Sequence, residues 1–164
     1  MKFYLKQHLI SVGSDFSVRD ENGVDVYLFD GKVFSVGTKI IIFDRKKEEV
    51  GRLRRKFFTL APTFNLYSGK RVVATISKKL FTFRPAFTIR GRDGEPIQVT
   101  GRFLEHDYRF TRERKEVAVV SKKWFREADT YGVEVKHRSD ALLVLCGVVI
   151  IDLLCHPKRD SSFR

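Results

Sequence analysis

Leu9-Ile-Ser-Val-Gly-Ser-Asp-Phe-Ser-Val18 and Val33-Phe-Ser-Val-Gly-Thr-Lys-Ile-Ile-Ile42 are two renderings of one phrase. Phe57-Phe-Thr-Leu-Ala-Pro-Thr-Phe-Asn-Leu66 and Leu80-Phe-Thr-Phe-Arg-Pro-Ala-Phe-Thr-Ile89 repeat it, and weaker copies begin at Phe103 and Trp124. The starts lie 24, 24, 23, 23 and 21 residues apart. A near-constant period of this length marks one supersecondary unit used repeatedly. Each unit holds two runs rich in Phe, Val, Ile, Thr and Tyr, with apolar residues close to every second position. That pattern predicts half-buried strands. Gly13, Gly37, Pro62 and Pro85 occupy the bend between the runs, while Asp20-Glu-Asn-Gly23, Ser68-Gly69 and Arg92-Asp-Gly94 supply turns between units.

Six such units give about twelve strands in an antiparallel meander, because the connections are short. An open sheet of that width would leave two long edges exposed, and closure into a barrel removes them. The last element is different. Ala141-Leu-Leu-Val-Leu-Cys-Gly-Val-Val-Ile-Ile151 is apolar without alternation, and Leu153-Leu-Cys155 extends it past Asp152. Its uninterrupted run is 11 residues, against about 20 for a transmembrane helix. No membrane span is expected. A helix roughly 10–12 Å across instead fills the lumen that a twelve-stranded barrel leaves open. Ser139 and Asp140 are placed to cap its start, and Pro157 to stop it. The expected layout is a single domain over 1–156, with strands in 2–136, a central helix over 140–155 and a short polar tail over 157–164. The fold class is mainly β, a closed antiparallel barrel around a C-terminal helix.

Phe81-Thr-Phe-Arg-Pro-Ala-Phe-Thr-Ile89, Ser121-Lys-Lys-Trp-Phe125, Asp129-Thr-Tyr-Gly-Val133 and the closing apolar segment through Asp152 and His156 give the chain a family likeness. It resembles the LURP-one-related proteins, including their bacterial YxjI-like members, over essentially its whole length. That family is similar in fold to the C-terminal domain of tubby and to phospholipid scramblases. The resemblance implies a twelve-stranded barrel around a hydrophobic helix, the same count that the repeats give. The family's biochemical role is largely unassigned. The tubby relatives bind phosphoinositide headgroups through basic residues. Their binding motif has no residue-by-residue match here, so no site transfers from them.

Charge gives the leading functional signal. The net charge is +12. Residues 1–50 hold eight basic and eight acidic residues and 139–164 hold three of each, so the excess sits in 51–138. Between Val50 and Arg92 there are eleven basic residues and no acidic one. In a meander they occupy neighbouring strands and converge on one area of the wall. Arg54, Arg55, Lys56, Lys78 and Lys79 precede their bends, as do Lys122 and Lys123, which places them at one rim. With Arg52 and Arg84 they are the candidate residues for an anionic ligand: a lipid headgroup, a membrane surface or another phosphate-bearing partner. The competing reading is a solvated basic face, on a scaffold whose loops meet a protein partner. Phe57, Phe58, Phe81, Phe83, Trp124 and Phe125 interleave with these charges and could stack on bases. Alternation instead assigns such rings to the core, which disfavours nucleic acid.

No Gly-x-Ser-x-Gly, His-Glu-x-x-His, P-loop or Rossmann pattern is present, so an enzyme is not expected, and neither is a cofactor. No calcium loop appears. His106-Asp107 beside a bend is expected to be structural. Asp152 and His156 share a helix face, and with Cys155 they make an incomplete metal set, so none is assigned. Asp152 breaks an apolar face and must find a partner, for which an Arg or a backbone group of the rim is the expectation. Small-ligand carriage inside the barrel is opposed by the helix, unless a polar cavity lies beside Asp152. Cys146 and Cys155 are separated by roughly 13 Å on a helix, too far to bridge. They fit a reducing compartment, with no secretory signal in Met1 to Ile10. A cytoplasmic protein, peripheral to membrane at most, is the expectation.

Overall fold

The computed structural model describes residues 1–8, 15–34, 37–123 and 130–156. Twelve strands run in chain order as β1 (Lys2–His8), β2 (Asp15–Arg19), β3 (Asp25–Phe34), β4 (Gly37–Asp44), β5 (Glu49–Arg55) and β6 (Thr63–Ser68). They continue as β7 (Arg71–Lys78), β8 (Ala86–Gly91), β9 (Ile97–Arg102), β10 (Asp107–Arg112), β11 (Lys115–Ser121) and β12 (Thr130–Val135). A 3-10 turn, Arg138–Asp140, leads into α1 (Ala141–Cys155). Every strand pairs antiparallel with its sequence neighbour, and β1 pairs with β12 through registers such as Leu5↔Tyr131, so the sheet closes. The barrel is the one the repeats require.

Period-two alternation aims one face of each strand inward. Leu5, Phe16, Phe29, Ile42, Leu53, Ile76, Phe87, Val99, Phe110 and Val133 are fully buried. They surround α1, whose Val144, Leu145, Cys146, Val148, Val149 and Ile150 are fully buried too. The Val and Ile content of this segment would equally suit a strand. Inside a closed barrel no strand edge remains to pair with it, and only a helix satisfies its own backbone groups there. Fit sets one position: a Cβ on Gly147 would stand 2.6 Å from Ile89 Cδ1 and 3.0 Å from Phe110 Cε1. No described helix is long and apolar enough to cross a membrane.

The expected helix cap is replaced by something stronger. Asp140 occupies the N-cap position but makes no capping hydrogen bond through its side chain. Its carboxylate instead accepts both terminal nitrogens of Arg112, at 2.9 and 3.3 Å. A bidentate ion pair to the wall fixes the helix entrance more firmly than a local cap would. Pro157, Gly13, Trp124, Phe125 and the tail 157–164 lie outside the described residues.

Candidate functional site

In a meander the connections alternate between the two ends of the barrel. Those after odd-numbered strands make one rim, called here the loop rim. Those after even-numbered strands make the turn rim. The copies of the repeated phrase that begin at Phe57, Leu80 and Phe103 fall at described connections of the loop rim, and those that begin at Leu9 and Trp124 start outside the described residues. Because β12 ends at the turn rim, α1 enters there and finishes at the loop rim, beside the β7–β8 and β9–β10 connections.

The loop rim carries exposed aromatic residues. Phe58, Phe81 and Phe83 are fully exposed, Leu60 is 93% exposed and Leu104 71% exposed. Among the described residues elsewhere, no large apolar side chain exceeds 44%. The expectation that Phe57, Phe58, Phe81 and Phe83 pack in the core is therefore wrong. Alternation governs residues within strands, and these four lie in the bends, beyond the last ladder bond. Phe58 and Phe81 hold equivalent places in their copies of the phrase, and both have a φ of 59°. A left-handed backbone on a bulky aromatic costs on the order of 1–3 kcal/mol. The same strain at equivalent places points to a geometry specified by the repeat. Burial of these rings was the ground for disfavouring nucleic acid, and that ground is gone.

The basic residues divide between the rims. Arg54, Arg55, Lys56, Lys79 and Arg84 are exposed at the loop rim beside the aromatic tips. Among the described residues, Arg54, Lys56, Lys79 and Arg84 have no ion-pair partner. The Arg55 guanidinium lies 6.0 Å from the centre of the Phe64 ring. Lys78 is half-buried, and its charge reaches the Cys155 thiol, pulling against the burial that pushes that thiol up. Lys122 and Lys123 are exposed at the end of β11, farther round the same rim. Lys70, Arg71, Arg90 and Arg92 sit at the turn rim, because antiparallel strands carry successive basic clusters to opposite ends. Arg52 is occupied, its guanidinium bound to the Glu49 carboxylate.

Where α1 ends, a polar cluster fills the mouth. Asp152 is 3% exposed. His106 Nε2 and Asp152 Oδ1 are 3.0 Å apart, so the expected Arg or backbone partner of Asp152 is a histidine from the β9–β10 turn. His156 donates Nε2–H to the Phe103 carbonyl at 3.1 Å, and its Nε2 is 4.0 Å from Asp152 Oδ1. The two imidazoles stack at 4.5 Å with 5° between planes, and Tyr131 stacks on the far face of the cluster at 4.4 Å from His106. Asp152 Oδ2 and the hydroxyls of Tyr108 and Tyr131 are buried without a hydrogen-bond partner among the described residues. Burial pushes both phenols well above the ordinary tyrosine range, and the negative charge of Asp152 adds to it. A cavity of about 290 Å³ opens beside them, lined in part by Gln7 and Lys122. It is the polar cavity beside Asp152 that a ligand-carrying reading requires, though it lies at the mouth and the helix fills the interior. His106 was legible only as one of a pair beside a bend. Asp107, the other member, turns away to Arg102.

A family description, LURP-one-related, matches residues 1–152. The uncharacterized protein YxjI of Bacillus subtilis (strain 168) is 22% identical over 162 residues, spanning 99% of this chain and 98% of that one. A protein from Arabidopsis thaliana solved by X-ray diffraction superposes with a TM-score of 0.63 at 16% identity, over 93% of this chain and 91% of the other. At that identity the likeness is one of fold.

Proposed function

The chain belongs to the LURP-one-related family, and we propose that it uses this fold as a non-enzymatic module that docks, loop rim first, on anionic membrane surfaces. One observation carries the reading: fully exposed Phe58, Phe81 and Phe83 stand among Arg and Lys side chains that have no ion-pair partner among the described residues, at one end of the barrel. Exposed aromatic clusters of this kind are unfavourable in water and mark contact surfaces. A bilayer interface suits both components. Each cation near an anionic surface contributes about 1 kcal/mol, and each aromatic tip that leaves water adds about 1.5–3 kcal/mol. The sum describes reversible, peripheral binding. Sedimentation with phosphatidylcholine vesicles carrying increasing phosphatidylserine tests it. Binding should rise with anionic fraction and fall with salt. A protein that stays in the supernatant at low salt, whatever the lipid, removes the proposal.

A groove of about 410 Å³ on the same rim favours a second reading. Pro85, Phe103, Leu104, Leu154 and Cys155 line it, together with Gly101, Lys78, Arg102 and Glu105. An apolar side chain of a protein partner fits such a groove. That reading predicts capture of one defined partner, insensitive to salt and to charge reversal at Arg54 and Lys79. Single-stranded oligonucleotide is the third arm, since stacking on exposed rings is sequence-tolerant. Tighter binding to it than to anionic vesicles replaces the lipid assignment.

A further inference from the structure

We propose that His106, Asp152 and His156 form a three-ligand site for a divalent transition cation of the zinc class, with its fourth position open to the cavity at the barrel mouth. The proposal is independent of lipid binding. It begins from donor chemistry: two imidazoles and one carboxylate suit Zn2+, and three protein ligands with one open position is the arrangement of accessible sites. The ligand atoms all lie within 4.8 Å of one another. His106 Nε2 and Asp152 Oδ1, at 3.0 Å, are already near the edge of about 3.3 Å that tetrahedral bonds of about 2.0–2.1 Å define. The parallel stack on His106 keeps the two in-plane lone pairs from converging, so His156 must turn out of that stack to complete the site, and it stands at the partly exposed end of α1.

Two further observations separate this site from a plain polar anchor. An anchor for the helix end would satisfy both carboxylate oxygens, since buried polar atoms without partners are rare. Asp152 Oδ2 is buried and has no hydrogen-bond partner among the described residues, beside a cavity. Second, the Phe103 carbonyl takes the Nε2–H of His156. That bond puts the proton on Nε2 and leaves the lone pair on Nδ1, and a carbonyl-held N–H is the outer-shell support usual for metal-bound histidine. Nε2 is the nitrogen 4.0 Å from Asp152 Oδ1, so the turn of the ring must bring Nδ1 to the metal. Lys122 at the cavity wall opposes cation binding and favours an anion at the open position. With one negative ligand, the site would retain positive charge and accept hydroxide or another anion at its open position.

The test uses the full chain, stripped with chelator and free of any affinity tag. Titration with Co2+ should give the visible bands of four-coordinate cobalt at one ion per chain, and Zn2+ should displace them. Replacing a ligand should weaken binding at least tenfold in His156→Gln and in His106→Gln, while Lys79→Glu leaves it unchanged. Asp152→Asn is read only alongside circular dichroism. His156→Gln is the safer variant because its side chain lies at the end of the helix. Metal should raise the thermal midpoint of the parent chain and not that of His156→Gln. Folded protein that binds no Co2+ at submillimolar concentration overturns the site. So does binding that survives both histidine substitutions.

Discussion

The two rims of the barrel join the same strands in opposite ways. The turn rim closes with two to five residues between successive strands. The β10–β11 connection is two residues, Glu113 and Arg114, both with positive φ at 49° and 66°, as a primed hairpin turn requires. Its charges are mixed, and it anchors the entrance of α1 through Arg112 and Asp140. The loop rim uses connections of up to eight residues between strands. It spends them on exposed aromatic tips, cations and a histidine–aspartate cluster. The contrast teaches that one rim serves stability and the other display. In a closed barrel stability requires that each connection bridge its strands, and residues beyond that minimum are free for other work.

The largest effect should come from the entrance. Arg112→Ala leaves Asp140 buried without its partner. Breaking a well-buried pair costs about 3–5 kcal/mol, and partial exposure of Arg112 reduces this to about 2–3 kcal/mol. Urea unfolding measures it, and a loss below half a kcal/mol erases the supposed division between the rims. Gly147→Leu, midway between them, should cost about 1–3 kcal/mol or more through overpacking against Ile89 and Phe110. Its lowered midpoint would be seen in the same denaturation series.

At the loop rim stability and binding should separate. Arg54→Glu with Lys79→Glu should lower affinity for anionic vesicles more than tenfold at low salt, with no loss of midpoint. The matched reversal at the turn rim, Arg71→Glu with Arg90→Glu, should change it little. Equal losses from both pairs would mean that net charge acts, not the rim. Phe58→Gly and Phe81→Gly should each raise stability by up to about 1 kcal/mol by relieving the left-handed backbone, while weakening vesicle binding. The smallest effect concerns thiols. Cys146 is fully buried and burial drives its thiol far up. Cys155, half-exposed at the loop rim, should react with a maleimide reagent first, and faster labelling of Cys146 would contradict the placement of α1.

Much of this was legible. The phrase starting at Leu9, Val33, Phe57 and Leu80 gave the number of strands, and the unalternated run 141–151 gave the helix, because both are patterns of neighbours. The placement of Arg54, Lys56 and Lys79 before equivalent bends gave their common rim. The exposure of Phe58 and Phe81 was missed because period two was carried through a bend, where no ladder enforces it. Asp152 was legible as needing a partner. His106, 46 residues earlier, was not legible as that partner.

The sequence by itself determined the strands, their inward faces, the helix and the parity that sends basic clusters to alternate ends. Each of these follows from spacings of a few residues, and local backbone geometry reads such spacings directly. Only the tertiary structure decided that aromatic tips stand in solvent, that Arg112 holds Asp140, and that His106 meets Asp152. Those contacts exist because β1 closes on β12 and α1 threads the lumen, which brings together residues whose separation along the chain carries no local signal.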